Sequence, residues 1–447
     1  MMDTSAVTPP EHVSTALLTD RYELTMLRGA LASGAAHRRT AFEMFARHLP
    51  GGRRYGVVAG TARFLEALER FRFDTAVLDF LAQNRVVDDA TLNWLANHEF
   101  TGDIWGYGEG DCYFPGSPIL VVEGTFAEAV LLETLALSIF NHDCAVATAA
   151  SRMVTAADHR PLIEMGSRRT HEEAAVAAAR ATYIAGFAST SNLMAGQRHG
   201  LPTAGTSAHA FTLLHDTERD AFAAQLRALG PETTLLVDTY DVAAATHTGI
   251  ELAGSELGAV RIDSGDLGEL AAQLRKLLDN HGATGTHVVV TGDLDEHAIQ
   301  ALAVAPVDGY GVGTSVVTGS GSPTAALVYK LVARAEDDRD GAPLRPVAKR
   351  SVGKPTLGGR KWPVRRFDPQ TGRATAEAIY AHEPRSTEQE QPRLRKLVEG
   401  GKVVHHEPIE AARNRHIHTR DELPPAARRM SRGDPAIPTV FEDGADS

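Results

Sequence analysis

Short apolar runs alternate with helix-length segments in the middle of the chain, and each run is followed by polar residues or glycines. The runs recur at intervals of roughly 20 to 40 residues, which is the spacing of repeated strand–helix units. Runs this short and this apolar are typical of strands buried in a parallel sheet. The pattern predicts strands at 162–163, 202–204, 235–237, 260–262, 288–290 and 310–312. It therefore favours an α/β fold, either a parallel barrel or a doubly wound sheet.

The chain before these repeats has a different pattern of apolar and polar residues. Residues 40–45 and 118–122 are predicted as strands. A helix is expected to begin after Thr19 or Asp20, because either side chain can cap its first turn. Residues 127–140 carry glutamates on one side and leucines on the other, which predicts a long amphipathic helix. These elements indicate a mixed α/β region ahead of the repeats.

Polar residues follow the predicted strands at every step. In an α/β barrel or a doubly wound sheet, the active site lies at the carboxyl ends of the strands, where such residues would meet. A functional ring is therefore predicted, although capping of the next helix is the alternative for each single member. Ser264 and Asp266, for example, are candidate caps for the helix predicted at 267–278. The members of the ring are Glu164, Arg168, Thr206, His209, Asp238, Arg261, Asp263, Asp266, Asp293 and Thr314.

The stretch from Glu164 to His209 concentrates this chemistry. Arg168 and Arg169 are adjacent, and guanidinium groups match carboxylate or phosphate oxygens in bidentate geometry. His209 follows a Gly-Thr turn, where an imidazole can act as a base, a ligand or a nucleophile. The alternative is that the arginines are surface charges and that the histidine is a satisfied polar residue. The stretch thus predicts an anionic substrate beside a reactive imidazole.

The composition of the chain narrows the classes of function that it could have. The chain has 447 residues, 43% hydrophobic and 23% charged, with a formal charge of −12, as in a soluble globular protein. An acidic balance disfavours nucleic acid as a partner, because nucleic-acid binding depends on clustered Lys and Arg. Cys112 and Cys144 lack CxxC spacing, so reduced thiols in a cytoplasmic protein are expected. No signal peptide is expected at 1–11, and glutamates interrupt 118–140, so no membrane partner is predicted.

A basic segment near the carboxyl end, 349–366, has two interpretations. Its glycines and Pro355 suggest a hairpin. The simpler interpretation is a solvated basic surface, and the other is a strand pair that lines a pocket for an anionic ligand.

Five short motifs occur in order along the chain. They are Thr19-Asp20-x-Tyr22, Glu164-Met165-Gly166-Ser167-Arg168-Arg169, Gly205-Thr206-x-x-His209, Arg261-Ile262-Asp263-Ser264-Gly265-Asp266 and Gly311-Val312-Gly313-Thr314. Together they resemble the nicotinate phosphoribosyltransferase family. The resemblance extends from about Leu17 to Arg366 and implies the irregular α/β barrel of type II phosphoribosyltransferases. It also implies a mixed N-terminal domain that is completed by C-terminal strands and packs on a partner's barrel in a homodimer with shared active sites.

On this basis the chain divides into four predicted segments. A disordered lead would cover 1–16, the N-terminal mixed domain 17–126 and the catalytic barrel 127–335. The remaining segment, 336–447, would pack on the N-terminal domain and end in a flexible tail past about Gly433.

The resemblance also implies a reaction and residue roles. The family joins nicotinate to phosphoribosyl diphosphate in NAD salvage, forming nicotinate mononucleotide and diphosphate with coupled hydrolysis of ATP. Tyr22, Thr206 and Arg261 would contact nicotinate, and Tyr22 would reach in from the other subunit. Thr314 would hold the 5′-phosphate, and His209 would be phosphorylated transiently by ATP. The predicted catalytic residues are His209, Arg261 and Asp263.

The chemistry of the residues is compatible with that reaction. Displacement at the anomeric carbon passes through a cation-like transition state, and the leaving diphosphate favours Mg²⁺ and cationic side chains. Asp263 and Asp266 are the predicted Mg²⁺ ligands. The residues predicted to bind phosphoribosyl diphosphate are Arg168, Arg169, Ser264, Gly292, Gly313 and Thr314.

Other functions remain open at this point. A nicotinamide phosphoribosyltransferase is the nearest alternative, and Arg261 favours the acid over the amide. A quinolinate enzyme would call for a denser basic pocket. A barrel aldolase or isomerase acting on a sugar phosphate would want a lysine or a carboxylate base at a strand end, and no lysine lies beside the predicted strand ends. A non-enzymatic sensor with a decayed site is disfavoured by the joint presence of His209, Arg261, Asp263 and Thr314.

Overall fold

The computed structural model describes residues 13–339, 341–349 and 357–442. The chain forms two compact units. The first contains the described residues up to Cys144, together with Thr324–Ala427 and those from Gly433 onward. The second contains Ala145–Pro323 and Arg428–Arg432. The predicted segment boundaries near residues 127 and 336 stay predictions.

Helices in the described residues are α1 (Arg21–Ser33), α2 (Thr61–Glu69), α3 (Thr75–Gln83), α4 (Asp89–Ala96), α5 (Phe126–Val130), α6 (Glu133–Ala157), α7 (Glu172–Ala185), α8 (Leu193–His199), α9 (His209–Leu214), α10 (Glu218–Leu229), α11 (Val242–Ala253), α12 (Leu267–Asn280), α13 (Glu296–Ala301), α14 (Thr314–Val317) and α15 (Ile409–Asp421). Strands are β1 (Arg39–Ala46), β2 (Gly56–Val57), β3 (Asp103–Gly106), β4 (Cys112–Tyr113), β5 (Pro118–Thr125), β6 (Leu162–Glu164), β7 (Ser189–Thr190), β8 (Thr234–Leu236), β9 (Ala259–Ile262), β10 (His287–Val290), β11 (Gly309–Val312), β12 (Leu327–Ala335), β13 (Leu344–Pro346), β14 (Trp362–Phe367), β15 (Ala374–Tyr380), β16 (Glu390–Pro392), β17 (Arg395–Glu399), β18 (Lys402–Val403) and β19 (Thr439–Phe441).

The second unit is built on one six-stranded parallel sheet in the order β7-β6-β11-β10-β9-β8. Every pairing within it is parallel, so the carboxyl ends of all its strands lie at one edge. Strands β9 and β11 are buried along their whole length, and apart from Arg261 they carry only apolar residues and glycine or tyrosine. The parallel α/β architecture that the apolar runs predict is confirmed.

The prediction of a strand at 202–204 is wrong. That position in the sheet is taken by β7, which pairs with β6. Thr203 forms only an isolated parallel bridge with Thr190. Pro202 lacks the N–H that a continuous ladder requires, so the segment makes a single bridge and does not extend.

Helix α12 follows the sequence pattern closely. Asp266 caps it by accepting a hydrogen bond from the Glu269 N–H at 3.1 Å. Ala271, Leu274 and Leu278 form its buried face. Of the two predicted caps, Asp266 caps the helix and Ser264 does not.

The helix predicted at 127–140 is longer and is divided. Thr125 and Glu128 form a capping box that starts α5, and α6 then continues to Ala157. By length and composition alone, the stretch Phe126–Ala157 could cross a membrane, but 67% of its most apolar window is buried inside the protein. Burial of this kind is how the core helix of a folded domain behaves.

The first unit contains a seven-stranded sheet in the order β13-β12-β1-β5-β3-β17-β18. Strand β1 lies between β5 and β12, and it pairs antiparallel with both. Strand β17 pairs with β3 at the other side. Strands from the carboxyl part of the chain therefore complete a sheet that begins near the amino end, as the resemblance implies.

The basic segment is not a solvated surface where the structure describes it. Lys361 donates to Glu43 at 2.8 Å, and both side chains are buried. Arg365 donates to Glu377 at 2.6 Å, and both are fully buried. The solvated-surface interpretation is therefore wrong for these residues, because their charges are matched by the buried carboxylates of Glu43 on β1 and Glu377 on β15. Residue 350 and residues 351–356, including Pro355, lie outside the described residues.

The predictions for the two ends of the chain have different outcomes. Residues 1–12 of the predicted lead lie outside the described part of the chain, whereas Thr15 and Ala16 are buried. Past Gly433 the sequence predicts a flexible tail, but β19 pairs parallel with β15. Thr439 also donates to the Pro115 carbonyl at 2.7 Å, which holds this stretch in place.

Candidate active site

The site is built at the carboxyl edge of the parallel sheet. Strand β9 ends at Ile262 and presents Arg261 just before that end and Asp263 just after it. Strand β10 is followed directly by Thr291, and β8 by Val237 and Asp238. Since β8, β9 and β10 are neighbours, these polar side chains converge.

Arg261 is the centre of this group. The residue is 8% exposed, and its Nε donates to the Thr291 hydroxyl at 2.8 Å. Its Nη1 donates to the Thr206 hydroxyl at 2.6 Å. Its Nη2 faces Asp263 Oδ1 at 3.5 Å. The cation is thus oriented on three sides, and Nη2 retains donor capacity.

Thr291 is a site residue that the sequence prediction omitted. Its hydroxyl donates to Asp263 Oδ1 and accepts from Arg261, so it links the two predicted catalytic residues. Its position directly after a predicted strand is the signal that could have identified it. An uncharged hydroxyl at such a position is easily taken for a helix cap.

Asp238 connects His209 to the strand β9 end. Its Oδ2 accepts hydrogen bonds from the Asp263 N–H and the Ser264 hydroxyl, both at 2.8 Å. Its side chain is 3% exposed, and its Oδ1 has no hydrogen-bond partner in the described structure. That oxygen lies 3.9 Å from His209 Nε2. A buried carboxylate with a free oxygen facing an imidazole can orient the ring.

The His209 ring is held on its other side by Thr239, whose hydroxyl lies 3.1 Å from Nδ1. The side chain is 42% exposed, so the ring is accessible to a ligand. His209 is the first residue of α9, and it follows the Thr206 turn directly.

The turn that carries Thr206 is itself braced. Ser207 donates its hydroxyl to Gln225 Oε1 at 2.7 Å. Gln225 then donates to the Thr233 hydroxyl and the Thr234 carbonyl at 3.0 and 2.9 Å. These bonds connect the turn to helix α10 and to the start of β8, so Thr206 meets Arg261 in a defined position.

Gly292 follows Thr291 with a φ of +131°, a conformation that residues with a Cβ rarely adopt. A Cβ there would also approach the Asp263 carbonyl oxygen to 3.2 Å. Glycine at this position therefore keeps the backbone close to the end of strand β9.

A second group lies at the ends of β6 and β11. Buried Glu164 accepts the Gly166 N–H and the Thr190 hydroxyl. Burial raises the pKa of this carboxyl, and the two hydrogen bonds lower it in part. A Cβ added at Gly166 would lie 3.1 Å from the Gly313 carbonyl oxygen, so the two loops touch.

The same loops carry Arg168, Arg169, Gly313 and Thr314. Both arginines are exposed, and in the described part of the chain neither forms an ion pair. A Cβ placed on Gly313 would lie 4.0 Å from the Arg169 side chain. Two uncommitted guanidinium groups beside exposed Thr314 form a surface suited to a phosphate-bearing ligand.

The predicted metal ligands are only partly suitable. Asp266 is occupied as the α12 cap, and Asp263 Oδ1 already accepts from Thr291. Across the described residues, no group of three or more His, Cys, Asp or Glu side chains is arranged to hold a metal. Mg²⁺ commonly takes one or two carboxylates and completes its shell with water and substrate phosphates. The two aspartates fit that open arrangement and do not form a closed cage.

Tyr22 belongs to the first unit, and its surroundings are given within that unit only. It lies on α1 and is 45% exposed. Burial raises its pKa to about 12, and the neighbouring carboxylates of Glu133 and Glu23 contribute. The phenol therefore stays protonated at neutral pH and can donate a hydrogen bond.

Taken together, the second unit holds an oriented cation, an accessible imidazole and two free guanidinium groups at one sheet edge. Such a set can bind an anionic acid and a polyphosphate, and it offers a nucleophilic nitrogen for phosphoryl transfer. No lysine that could form a Schiff base belongs to this set of residues.

Known proteins resemble this chain over nearly all its length. The N-terminal domain model of nicotinate phosphoribosyltransferase (NAPRTase) matches residues 17–141. Nicotinate phosphoribosyltransferase pncB1 of Mycobacterium tuberculosis is 56% identical over 433 residues, covering 95% of this chain and 94% of that protein. The nicotinate phosphoribosyltransferase of Bacillus subtilis is 35% identical over 335 residues, covering 73% of this chain and 68% of that protein.

The fold agrees with these relatives. The crystal structure of human nicotinic acid phosphoribosyltransferase matches with a TM-score of 0.80 at 27% identity, covering 96% of this chain and 98% of that one. This match confirms the prediction of an irregular α/β barrel with additional strand sheets. Since identity to the mycobacterial protein exceeds one half across nearly the full length of both sequences, the chain belongs to the nicotinate phosphoribosyltransferase family.

Proposed function

We propose that this chain joins nicotinate to phosphoribosyl diphosphate, releasing nicotinate mononucleotide and diphosphate, and that hydrolysis of ATP is coupled to the reaction in NAD salvage. The observation that carries the proposal is the oriented Arg261 guanidinium, bonded to Thr206 and Thr291 beside Asp263. A planar cation with a free edge suits the carboxylate that distinguishes nicotinate from nicotinamide.

The displacement itself needs little from the protein. The ring nitrogen of nicotinate has a free lone pair and forms the new C–N bond at the anomeric carbon, while the C–O bond to diphosphate breaks. Arg261 and Thr206 hold the carboxylate so that the nitrogen points away from them. The protein's main contributions are therefore positioning and stabilisation of the leaving anion.

The leaving group would be met by the loops after β6 and β11. Arg168 and Arg169 supply cations, and Gly313 and Thr314 supply backbone N–H groups and a hydroxyl. Ser264 and Gly292 border the same edge near Asp263. Mg²⁺, when bound through Asp263, Asp266 and diphosphate oxygens, would offset the charge of the leaving group.

His209 would couple ATP to this chemistry. An imidazole nitrogen attacks the γ-phosphorus of ATP, an N–P bond forms, and the P–O bond to ADP breaks. Asp238, 3.9 Å from Nε2, would hold the ring and stabilise the positive charge that develops on it. Later hydrolysis of the N–P bond returns the free imidazole and phosphate.

The partners follow from the same proposal. The substrates are nicotinate, phosphoribosyl diphosphate and ATP, with Mg²⁺ as the accompanying ion. We propose a cytoplasmic homodimer in which Tyr22 of one subunit contacts nicotinate in the other subunit's barrel. Neither nucleic acid nor a membrane is a proposed partner.

The substrate assignment is tested by steady-state assays with nicotinate, nicotinamide and quinolinate, each with and without ATP. We expect the highest kcat/KM with nicotinate and stimulation by ATP. A preference for nicotinamide, or release of CO₂ from quinolinate, would overturn the assignment. Turnover of a sugar phosphate without any pyridine would favour the aldolase or isomerase alternative.

The coupling role is tested with His209→Asn. This variant should retain slow synthesis without ATP and lose the stimulation that ATP gives, because asparagine cannot accept the phosphoryl group. ATP labelled at the γ-position should leave an acid-labile label on the wild-type chain and none on the variant. His247→Asn, an exposed histidine on α11, is the control and should keep both properties. Full ATP stimulation in His209→Asn would contradict the proposal.

A further inference from the structure

A cleft in the first unit is lined by residues that have no part in the proposed reaction. It is lined by α2 and by the segment that follows β18, and it has a volume of about 190 Å³. Four carboxylates line it, together with His405 and His406, and no lysine or arginine does. The carboxylates belong to Glu66, Glu69, Glu109 and Glu407.

Two buried polar atoms in this lining have no hydrogen-bond partner in the described structure. One is Oγ1 of Thr61, a residue that is 3% exposed. The other is Nε2 of His405, which lies 3.7 Å from Glu407 Oε2. A buried hydroxyl without a partner is destabilising, so the Thr61 hydroxyl in this lining indicates a ligand that supplies a hydrogen bond.

The charges select the kind of ligand. Glu109 already accepts the Gly60 N–H at 2.7 Å, so a carboxylate occupies the place that an anion would take at the start of α2. Glu407 is committed to Arg415 by two hydrogen bonds. Glu66 and Glu69 are exposed, and within the described residues neither forms an ion pair. The cleft therefore offers acceptors and uncompensated negative charge.

We propose that this cleft binds a small aliphatic amine or diamine in its ammonium form. An ammonium group has three donors and no acceptor, which matches the glutamate oxygens and the Thr61 hydroxyl. Leu65, Ala62 and Val403 provide apolar wall for the methylene groups. A cavity of about 150 Å³ is known to accommodate the six carbons of benzene, so the cleft suits a chain of about six heavy atoms.

The test uses the full-length protein and putrescine as the probe, in titration calorimetry at low and high salt. We expect saturable binding with a Kd of about 1 mM or tighter, weakened by salt. Butanediol, the uncharged molecule of equal length, should not bind. The analogue with a quaternary trimethylammonium at each end, which lacks N–H donors, should bind at least about tenfold more weakly.

Three variants locate the binding. Thr61→Val replaces an unsatisfied hydroxyl by a methyl group of the same shape, so we expect an unchanged or higher Tm and about tenfold weaker putrescine binding. Glu66→Gln combined with Glu69→Gln should weaken binding by at least about tenfold and remove most of its salt dependence. Glu99→Gln removes an exposed carboxylate outside the cleft and should change neither.

Absence of putrescine binding at about 20 mM would overturn the proposal, since the expected Kd is about 1 mM or tighter. Equal binding of putrescine and butanediol would overturn it as well, as would unchanged binding in the double glutamine variant. The ligand comparisons need no substitution, so the proposal stays testable if a variant does not fold.

Discussion

Arginine side chains serve opposite purposes in the two units. In the first unit Arg365 is fully buried, donates to Glu377 at 2.6 Å and to the Cys112 carbonyl at 2.8 Å, and faces no solvent. In the second unit Arg168 and Arg169 are exposed and form no ion pair among the described residues. Arg261 is intermediate, since it is buried and oriented but keeps a free edge at Nη2. Pairing with a buried carboxylate, rather than residue type, separates the structural cation from the binding ones.

The buried pair also shows what a closed network requires. Glu377 accepts from Arg365, Tyr107 and Ser117, so both ions are hydrogen-bonded on several sides. Desolvation of two charges is costly, and these hydrogen bonds offset that cost, although Nη1 of Arg365 has no hydrogen-bond partner in the described structure. A site that must accept a substrate anion cannot be closed in this way.

The largest expected effect comes from breaking the closed pair. Arg365→Met leaves Glu377 buried without its counter-ion and should lower the free energy of unfolding by about 3 to 5 kcal/mol. Urea denaturation measures the loss. Adding Glu377→Gln to the same chain should recover a large part of it, and the folded fraction should keep its kcat/KM.

Arg339→Met is the matched control, because Arg339 pairs with Asp337 at the surface. This change should leave the free energy of unfolding essentially unchanged, because solvent screens an exposed pair. If Arg365→Met lowered kcat without changing stability, the distinction between the two kinds of arginine would fail.

A smaller effect, on catalysis, is expected when Arg261 is replaced. Arg261→Lys keeps the charge but removes the planar fork, so kcat/KM for nicotinate should fall by about 100-fold. The free energy of unfolding should fall by only about 1 kcal/mol, because the Thr206 and Thr291 hydroxyls lose one partner each. Steady-state kinetics and urea denaturation of the same preparation separate the two quantities.

Arg219→Lys, an exposed arginine paired with Glu251, is the control and should leave kcat/KM unchanged. An Arg261→Lys protein with full activity toward nicotinate would remove Arg261 from the substrate site. An equal loss for nicotinate and nicotinamide would show that the guanidinium does not distinguish acid from amide.

The smallest expected effect concerns the pH dependence of stability that the carboxyl of Glu23 produces. Burial raises the pKa of Glu23 from 4.5 to about 7, and two hydrogen bonds from Thr134 lower it in part. The folded state therefore binds this proton more tightly than the unfolded state does. Its contribution to stability is fully present below pH 4.5 and is lost as the pH rises to about 7.

Glu23→Gln should remove this loss. The glutamine can keep the hydrogen bonds from Thr134, so at pH 8 the variant should be more stable than the wild type by about 2 kcal/mol. The gap should close near pH 5, as followed by thermal unfolding at about five pH values. Glu99→Gln should show no such gap, and a gap in Glu23→Gln that grows toward low pH would contradict the sign.

Much of the second unit could be predicted from the sequence, because fully buried parallel strands leave a strong apolar pattern. Strands β8 to β11 coincide with predicted runs to within a residue or two, and Asp266 caps α12 as expected. The convergence of polar residues also follows, since parallel strands end at one edge. The family assignment from ordered motifs is confirmed by the relatives.

The remainder depends on contacts that no local pattern records. Strand β7 has two residues, Ser189 and Thr190, and little apolar character, so 202–204 was the more strand-like segment. Thr291 became visible as a site residue only when Arg261 and Asp263 were seen on either side of it. The basic segment was ambiguous because Glu43 and Glu377 lie far from Lys361 and Arg365 in sequence.

The placement of β1 between β5 and β12 has a consequence for synthesis on the ribosome. The parallel sheet is encoded within one continuous stretch and can close before translation ends. Strand β1 emerges early, yet one side of it lacks a partner until the polypeptide beyond Pro323 has left the exit tunnel. During that interval an unpaired strand edge is open to other nascent chains. Shielding by a chaperone, or a slow stretch of codons after β12, would act on this interval and not on the catalytic barrel.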